Sequence, residues 1–106
     1  LLTRADATVT LCHRKTPDLA ARCRAADILL AAAGAPGLIT PECVRPGQIV
    51  LDAGATALSD GTLRGDVTPA AAAIAACTPV PGGIGSVTTA LLLRHTVQAA
   101  EKSHHF

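Results

Sequence analysis

Ile28-Leu29-Leu30-Ala31-Ala32-Ala33 is an unbroken apolar run closed by Gly34-Ala35-Pro36-Gly37. A strand wet on one side alternates apolar and polar residues. A short continuous run between breakers fits a strand buried on both faces, as in a parallel sheet. Gln48-Ile49-Val50-Leu51-Asp52-Ala53-Gly54 has the same character. Between the two, Thr40-Pro41-Glu42 carries helix-start chemistry, and Pro46-Gly47 stops that helix after a few residues. Toward the N-terminus, Ala7 to Cys12 alternates with period two and predicts another strand. Thr16-Pro17-Asp18 then predicts a helix through Ala25, with Leu19, Ala20, Cys23 and Ala26 on its buried side. Toward the C-terminus, Ser59-Asp60-Gly61-Thr62 signals a turn of a small hairpin. Thr68-Pro69 opens an alanine-rich helix to about Ala75, and Cys77-Thr78-Pro79-Val80 is a short strand. After a glycine loop, Ser86 is placed to cap a last helix running to about Ser103. Its Val87, Ala90, Leu91, Leu93, Val97 and Ala100 recur at helical spacing. Strand-then-helix units in series predict an α/β fold, a parallel sheet covered by helices through right-handed crossovers.

The chain has 106 residues, about one domain, with 49% hydrophobic and 16% charged residues. That balance excludes intrinsic disorder. Phe106 is the sole aromatic, and Trp, Tyr and Met are absent, so the core must come from Ala, Val, Leu and Ile. Such thin side chains bury little area and predict marginal stability alone. The start at Leu1-Leu2 suggests a piece of a larger protein. A net charge of +1 with scattered basic residues leaves no electrostatic footprint for nucleic acid. No apolar run is long enough to cross a membrane, and no signal peptide is visible before Thr3-Arg4. Cys12, Cys23, Cys43 and Cys77 form no C-x-x-C. They read as small buried hydrophobes in a reducing cytoplasm. Cys12 and His13 would point to opposite faces of a strand, which argues against a shared metal.

Ligands of open parallel sheets bind beyond the C-terminal ends of the strands. Three segments of this chain fall there. Arg14 and Lys15 follow the first strand where a dinucleotide fold reading NAD places an acid, so a nucleotide site here would favour NADP. Taken alone, the segment is equally described as a solvated basic turn, the simpler reading. Asp52-Ala53-Gly54-Ala55 ends a strand in residues small enough for a flat ring or a backbone to approach, or simply leaves the sheet tightly. Asp66 reads as a turn or capping acid near a strand end. Pro79 to Thr88 is stiffened by prolines and opened by Gly82, Gly83 and Gly85 just before a helix, which suits a ligand-facing loop. The G-x-G-x-x-G fingerprint and the Walker loop are both missing. His13, His95, His104 and His105 are weak signals; His95 reads as structural, and the last two fall in a fraying end. They complete no Ser-His-Asp arrangement.

Cys12-His13-Arg14-Lys15-Thr16, Ala26-Asp27-Ile28-Leu29, Ala32-Ala33-Gly34-Ala35-Pro36-Gly37, Arg45-Pro46-Gly47, Leu51-Asp52-Ala53-Gly54, Gly65-Asp66-Val67 and Thr78-Pro79-Val80-Pro81-Gly82-Gly83-Ile84-Gly85 occur in this order. Together they resemble the bifunctional methylenetetrahydrofolate dehydrogenase/methenyltetrahydrofolate cyclohydrolase family, from Leu1 to about Ala100. The Thr78 to Gly85 run is the most specific part. The resemblance implies most of a C-terminal NAD(P)-binding domain: a Rossmann-like, three-layer parallel sheet with helices on both faces. Its first βα unit, carrying a Gly-Arg-Ser phosphate loop, would lie before Leu1. So would an N-terminal domain holding a catalytic lysine and its tyrosine partner, so no catalytic residue is assigned within residues 1–106.

The same resemblance implies an NADP-dependent oxidation of 5,10-methylenetetrahydrofolate, then hydrolysis of the methenyl product, in cytoplasmic one-carbon metabolism and purine biosynthesis. It implies a homodimer for the intact enzyme, which the present chain alone would not reproduce as an active catalyst. Arg14 matches the position facing the adenosine ribose or its phosphate. Gly54, Ala55 and Thr88 match the cofactor side, and Pro81, Gly82, Gly83, Ile84 and Gly85 the folate side. Three positions depart from the family: Ser86-Val87 replaces Pro-Met, Ala55 replaces a larger aliphatic residue, and Ala53 replaces valine or similar. These changes thin the nicotinamide wall. The competing expectation is a non-catalytic remnant that binds a nucleotide weakly or serves as an assembly module.

Overall fold

The computed structural model describes residues 1–104; His105 and Phe106 lie outside them. A 3-10 turn at Thr3–Ala5 precedes α1 (Leu19–Ala25), β1 (Ile28–Ala31), a second 3-10 turn (Pro41–Cys43) and β2 (Ile49–Asp52). The hairpin β3 (Thr56–Ala57) and β4 (Leu63–Arg64) follows, then α2 (Pro69–Ala72), β5 (Ala76–Cys77) and α3 (Ile84–His104). The three-stranded sheet has the order β1-β2-β5, and both pairings are parallel. In register, Leu29 lies beside Val50 and Val50 beside Cys77, so these three share one face.

That face carries the core. Ala31 and Val50 from the sheet meet Cys23 of α1, Cys43 and Val44 at the second 3-10 turn, Ile39 and Ala71 of α2. Cys23 and Cys43 therefore serve as small buried hydrophobes, as expected, and all four cysteines are free thiols. Burial pushes the Cys23 thiol up to about 11, helped by the neighbouring thiols of Cys43 and Cys12. The opposite face differs from the expectation of a strand buried twice over. Ile28 is 56% and Leu30 53% exposed, and Ile49 beside them is also exposed. These side chains stay about half exposed, because α1, the 3-10 turn and α2 all contribute to the one core on the other face. Helix α3 stands away with Val87, Leu92, Leu93 and Val97 exposed. The radius of gyration, 16.3 Å, exceeds the roughly 13 Å of a compact domain of this length.

Buried polar groups fix how the elements meet. Gln48 is fully buried, donating from Nε2 to the carbonyls of Cys23 at 2.7 Å and Ala26 at 2.8 Å. Its Oε1 accepts from the Arg45 N–H at 3.2 Å. These bonds serve carbonyls at the end of α1, of which that of Cys23 also accepts from the Ala26 N–H. The Arg45 guanidinium adds bonds to the carbonyls of Arg24 and Ala26, while its exposed ion pair with Asp27 contributes little.

Several sequence expectations change in detail. Ala7 to Cys12 forms no strand, and Val9 and Leu11 are exposed. A period-two pattern becomes a strand only when a ladder partner lies alongside, and the described residues place none there. The three Thr-Pro pairs read as helix starts behave differently. Thr68 caps α2 by accepting from the Ala71 N–H, with Pro69 at the first helical position. Thr40 starts only the 3-10 turn, without a cap bond. Thr16 instead closes the preceding turn, accepting from the His13 N–H at 2.8 Å, and Asp18 occupies the N-cap of α1 at φ 53°. α2 stops at Ala72 because the chain must enter β5 at Ala76. β5 ends at Cys77, before Pro79, which has no N–H to donate. α3 begins at Ile84, so Ser86 lies in its first turn rather than capping it, and the helix continues through His104. His95 is exposed on α3, not packed as a structural histidine.

Candidate functional site

The C-terminal ends of β1, β2 and β5 lie along one edge of the sheet, as parallel pairing requires. Hydrogen bonds tie their three exits together. At the end of β2, the Asp52 N–H donates to Thr78 Oγ1 at 2.9 Å, joining it to the exit of β5. Asp52 is 4% exposed. Its Oδ1 accepts from Gly54 N–H at 3.0 Å and Asp66 N–H at 3.1 Å, and its Oδ2 from Val67 N–H at 3.1 Å. Asp66 in turn reaches the exit of β1, accepting from Ala33, Gly34 and Ala35. Two glycines make this packing possible. A Cβ at Gly54 would overlap the Asp66 carboxylate, and one at Gly65 the Asp52 carboxylate. Asp66 is thus not a local turn acid but a long-range acceptor.

Beside this frame opens a cleft of about 490 Å3, a volume in the range of small-molecule sites. Gly54 and Ala55 form one wall. Pro81, Gly82, Gly83, Ile84 and Gly85 form another, and Thr88 reaches it from α3. Eight of the nine residues expected to bind ligand therefore meet in one place: Gly54, Ala55, Thr88 and the five of the loop. Arg14 does not join them. It lies exposed in the His13–Thr16 turn, apart from the cleft lining. Gly82 holds φ +94°, a conformation that side chains rarely adopt. The Val80–Pro81 peptide bond is cis. Thr88 donates its hydroxyl to the Ile84 carbonyl at 3.0 Å, leaving its oxygen lone pairs for a donor in the cleft.

The lining is mostly small and uncharged. Both carboxylates nearest it are committed to backbone N–H groups, so neither is free to act as a general base. Burial, and then the Asp52 charge, raises the Cys77 thiol above its ordinary value, which keeps it protonated and unreactive at neutral pH. The described residues hold no group of three His, Cys, Asp or Glu side chains able to share a metal. Sequence reasoning found the cleft walls but missed what holds them. An acid closing an otherwise apolar strand, as Asp52 does, was the available signal, since buried acids are rare without partners.

These features agree with comparisons to known proteins. The tetrahydrofolate dehydrogenase/cyclohydrolase NAD(P)-binding domain family matches residues 1–104. The bifunctional protein FolD 1 of Rhodococcus jostii is 60% identical over 102 residues, covering 94% of this chain and 34% of that protein. The bifunctional protein FolD of Chloroflexus aurantiacus is 54% identical, with 93% and 35% covered. This chain thus spans about a third of the length of the curated relatives it matches. Among solved structures, the FolD dehydrogenase/cyclohydrolase of Campylobacter jejuni superposes with a TM-score of 0.88 at 41% identity, over 96% of this chain and 37% of that one. The Trypanosoma brucei enzyme, solved with NADP cofactor and inhibitor, gives 0.86 at 43% identity, over 96% and 38%. The Rossmann-like α/β architecture and these matches agree throughout: the chain belongs to the tetrahydrofolate dehydrogenase/cyclohydrolase family and corresponds to its NAD(P)-binding domain.

Proposed function

We propose that this chain is the cofactor-holding part of an NADP-dependent 5,10-methylenetetrahydrofolate dehydrogenase and 5,10-methenyltetrahydrofolate cyclohydrolase. The observation that carries the reading is the cleft at the strand-exit edge, walled by Gly54-Ala55 and by Pro81 to Gly85. It fits the nicotinamide end of a dinucleotide: a mostly small, uncharged lining, opening where parallel sheets bind nucleotides. When bound, NADP supplies the hydride acceptor. The chain's own residues orient and enclose. Gly54 and Ala55 let a ring lie close to backbone, the Pro81–Gly85 loop faces the folate side, and the Thr88 oxygen accepts a hydrogen bond. Chemistry by positioning of this kind needs no acid or base from residues 1–106.

The proton-handling lysine and tyrosine belong, in this reading, to an N-terminal domain before Leu1, with the βα unit that carries the phosphate loop. That unit would cover the open edge of β1 and give Ala7 to Cys12 its ladder partner. Arg14 would then reach the 2′-phosphate. The assembled enzyme is read as a cytoplasmic homodimer with no nucleic-acid or membrane partner. The near-neutral charge leaves no footprint for nucleic acid, and among the described residues no helix is long and apolar enough to cross a membrane.

The test is steady-state kinetics of the protein encoded by the whole reading frame. NADP-dependent oxidation of methylenetetrahydrofolate and hydrolysis of the methenyl form are both expected. Replacing Arg14 by Ala should raise KM for NADP about tenfold, with a smaller change for NAD, by loss of one charge-assisted phosphate contact. A frame without both activities, or one lacking the upstream lysine and tyrosine, favours the remnant reading instead. Equal losses for the two cofactors remove Arg14 from the phosphate.

A further inference from the structure

Asp66 is fully buried, yet its carboxylate holds only backbone N–H groups, in a loop exposed at Ala33 and Gly34 and half-buried at Ala35. Oδ2 accepts from the Ala33 N–H at 2.7 Å and the Gly34 N–H at 3.3 Å, and Oδ1 from the Ala35 N–H at 2.9 Å. Those donors lie 31 to 33 residues away in sequence, in the loop that leaves β1. Ala33 and Gly34 are exposed, and Gly34 holds φ +65°. Asp66 is itself anchored at both ends of its peptide. Its N–H donates to Asp52 Oδ1, and its carbonyl accepts from the Ile39 N–H at 3.0 Å. The result is one continuous path of hydrogen bonds. It runs from the wall of the cleft at Asp52 and Gly54, through Asp66, to an exposed loop beside it.

We propose that Asp66 is a positioning residue for dinucleotide binding: through the Ala33–Ala35 backbone it sets where the β1 exit stands relative to the β2 exit. This rests on the reading of the strand-exit edge as the NADP site. A dinucleotide lying across that edge passes from the cleft toward the β1 exit, so the loop meets the cofactor and not the folate. Three N–H groups converging on one carboxylate hold the loop in a single conformation before ligand arrives, which lowers the ordering cost of binding. The structure gives the carboxylate no side-chain partner and no free oxygen for catalysis.

The two activities of the whole protein separate this role from a merely structural one, because hydrolysis of methenyltetrahydrofolate consumes no NADP. Asp66→Asn keeps the shape but presents an amide donor to backbone donors. It is expected to raise KM for NADP about tenfold. KM for methylenetetrahydrofolate and the hydrolysis rate per folded molecule should stay within about twofold of wild type. Both activities falling together, or an unchanged KM for NADP, would overturn the proposal. Should Asp66→Asn fail to fold, Gly34→Ala shifts the same loop from the solvent side. Its Cβ meets no atom within 4 Å but strains the left-handed backbone. It is expected to produce the same split, and an unaltered KM for NADP in Gly34→Ala is equally fatal. A wild-type protein that reduces no NADP overturns the functional reading itself, and this inference with it.

Discussion

Replacing Gln48 by Met removes three hydrogen bonds from the centre of the molecule while keeping nearly the same volume. Gln48 is 0% exposed, so water cannot take the place of the lost partners. The two carbonyls it serves are not wholly abandoned. The Cys23 oxygen keeps a bond from the Ala26 N–H at 3.3 Å, and the Ala26 oxygen keeps one from Arg45 Nη2 at 3.2 Å. The Arg45 N–H loses its acceptor outright. Counting two net bonds at about 1 kcal/mol each and one stranded donor at about 1–3 kcal/mol gives roughly 3–5 kcal/mol. The apolar methionine returns about 1 kcal/mol through burial. The net loss is therefore about 2–4 kcal/mol, a large share of the stability of any ordinary domain. Urea unfolding of the purified whole protein, fitted with a common slope, measures it through the shift in midpoint. Gln48→Glu should cost more at neutral pH, because a carboxylate would face the Cys23 and Ala26 carbonyls. A Gln48→Met midpoint equivalent to less than about 0.5 kcal/mol, or a Glu variant more stable than the Met variant, refutes the account.

Two further outcomes follow from the same geometry. Ala55→Ile thickens the thin wall of the cleft. If the added carbons bury about 1 kcal/mol of apolar surface against the ring, KM for NADP falls about fivefold; an unchanged or higher KM removes Ala55 from the ring's surroundings. The Cys23 thiol ionises at about 11 in the folded chain against 9.0 when unconstrained. The unfolded state therefore loses its proton first, and this group's contribution to stability declines as pH rises from 9 toward 11. Urea midpoints across that window should fall less steeply in Cys23→Ala than in the wild type, and equal slopes would exclude the thiol as the titrating group.

The order of elements was legible because apolar runs and Pro/Gly breakers are local signals. Ile28 to Ala31 and Ile49 to Asp52 both became parallel strands, and the Ser59–Thr62 turn became a hairpin. In that turn Asp60 accepts from both the side chain and the N–H of Thr62, which holds its carboxyl below the ordinary range. What failed was whatever depended on a partner. Four Thr-Pro pairs gave one capped helix, one 3-10 turn, one loop closure and one strand exit, because the dipeptide does not specify which N–H lies within reach. Ala7 to Cys12 has a strand's alternation without a ladder. The cleft itself was legible in the density of small residues at Gly54-Ala55 and Pro81 to Gly85. The groups fixing those walls were not, since the bonds from Asp66 span more than thirty residues.

That division follows from composition. A core of alanine, valine, cysteine and Ile39 offers little area and few interlocking shapes, so dispersion and burial alone would leave the relative placement of strands loosely specified. Among the described residues, the buried polar side chains Gln48, Asp52 and Asp66 supply the missing direction. Gln48 ties α1 to the start of β2, Asp52 ties the end of β2 to the segment before α2, and Asp66 ties that segment to the exit of β1. Every donor and acceptor on these side chains is satisfied, the condition under which buried polar groups specify a structure rather than weaken it. The same economy explains the asymmetry of the sheet. Directional bonds gather on the core face and at the ligand edge, where position matters to within a fraction of an ångström. The face carrying Ile28, Leu30 and Ile49 has apolar area but no polar groups to fix a neighbour's register. Nothing on that face fixes the cleft, whereas loss of the Asp66 carboxylate would release the β1 exit from the β2 exit.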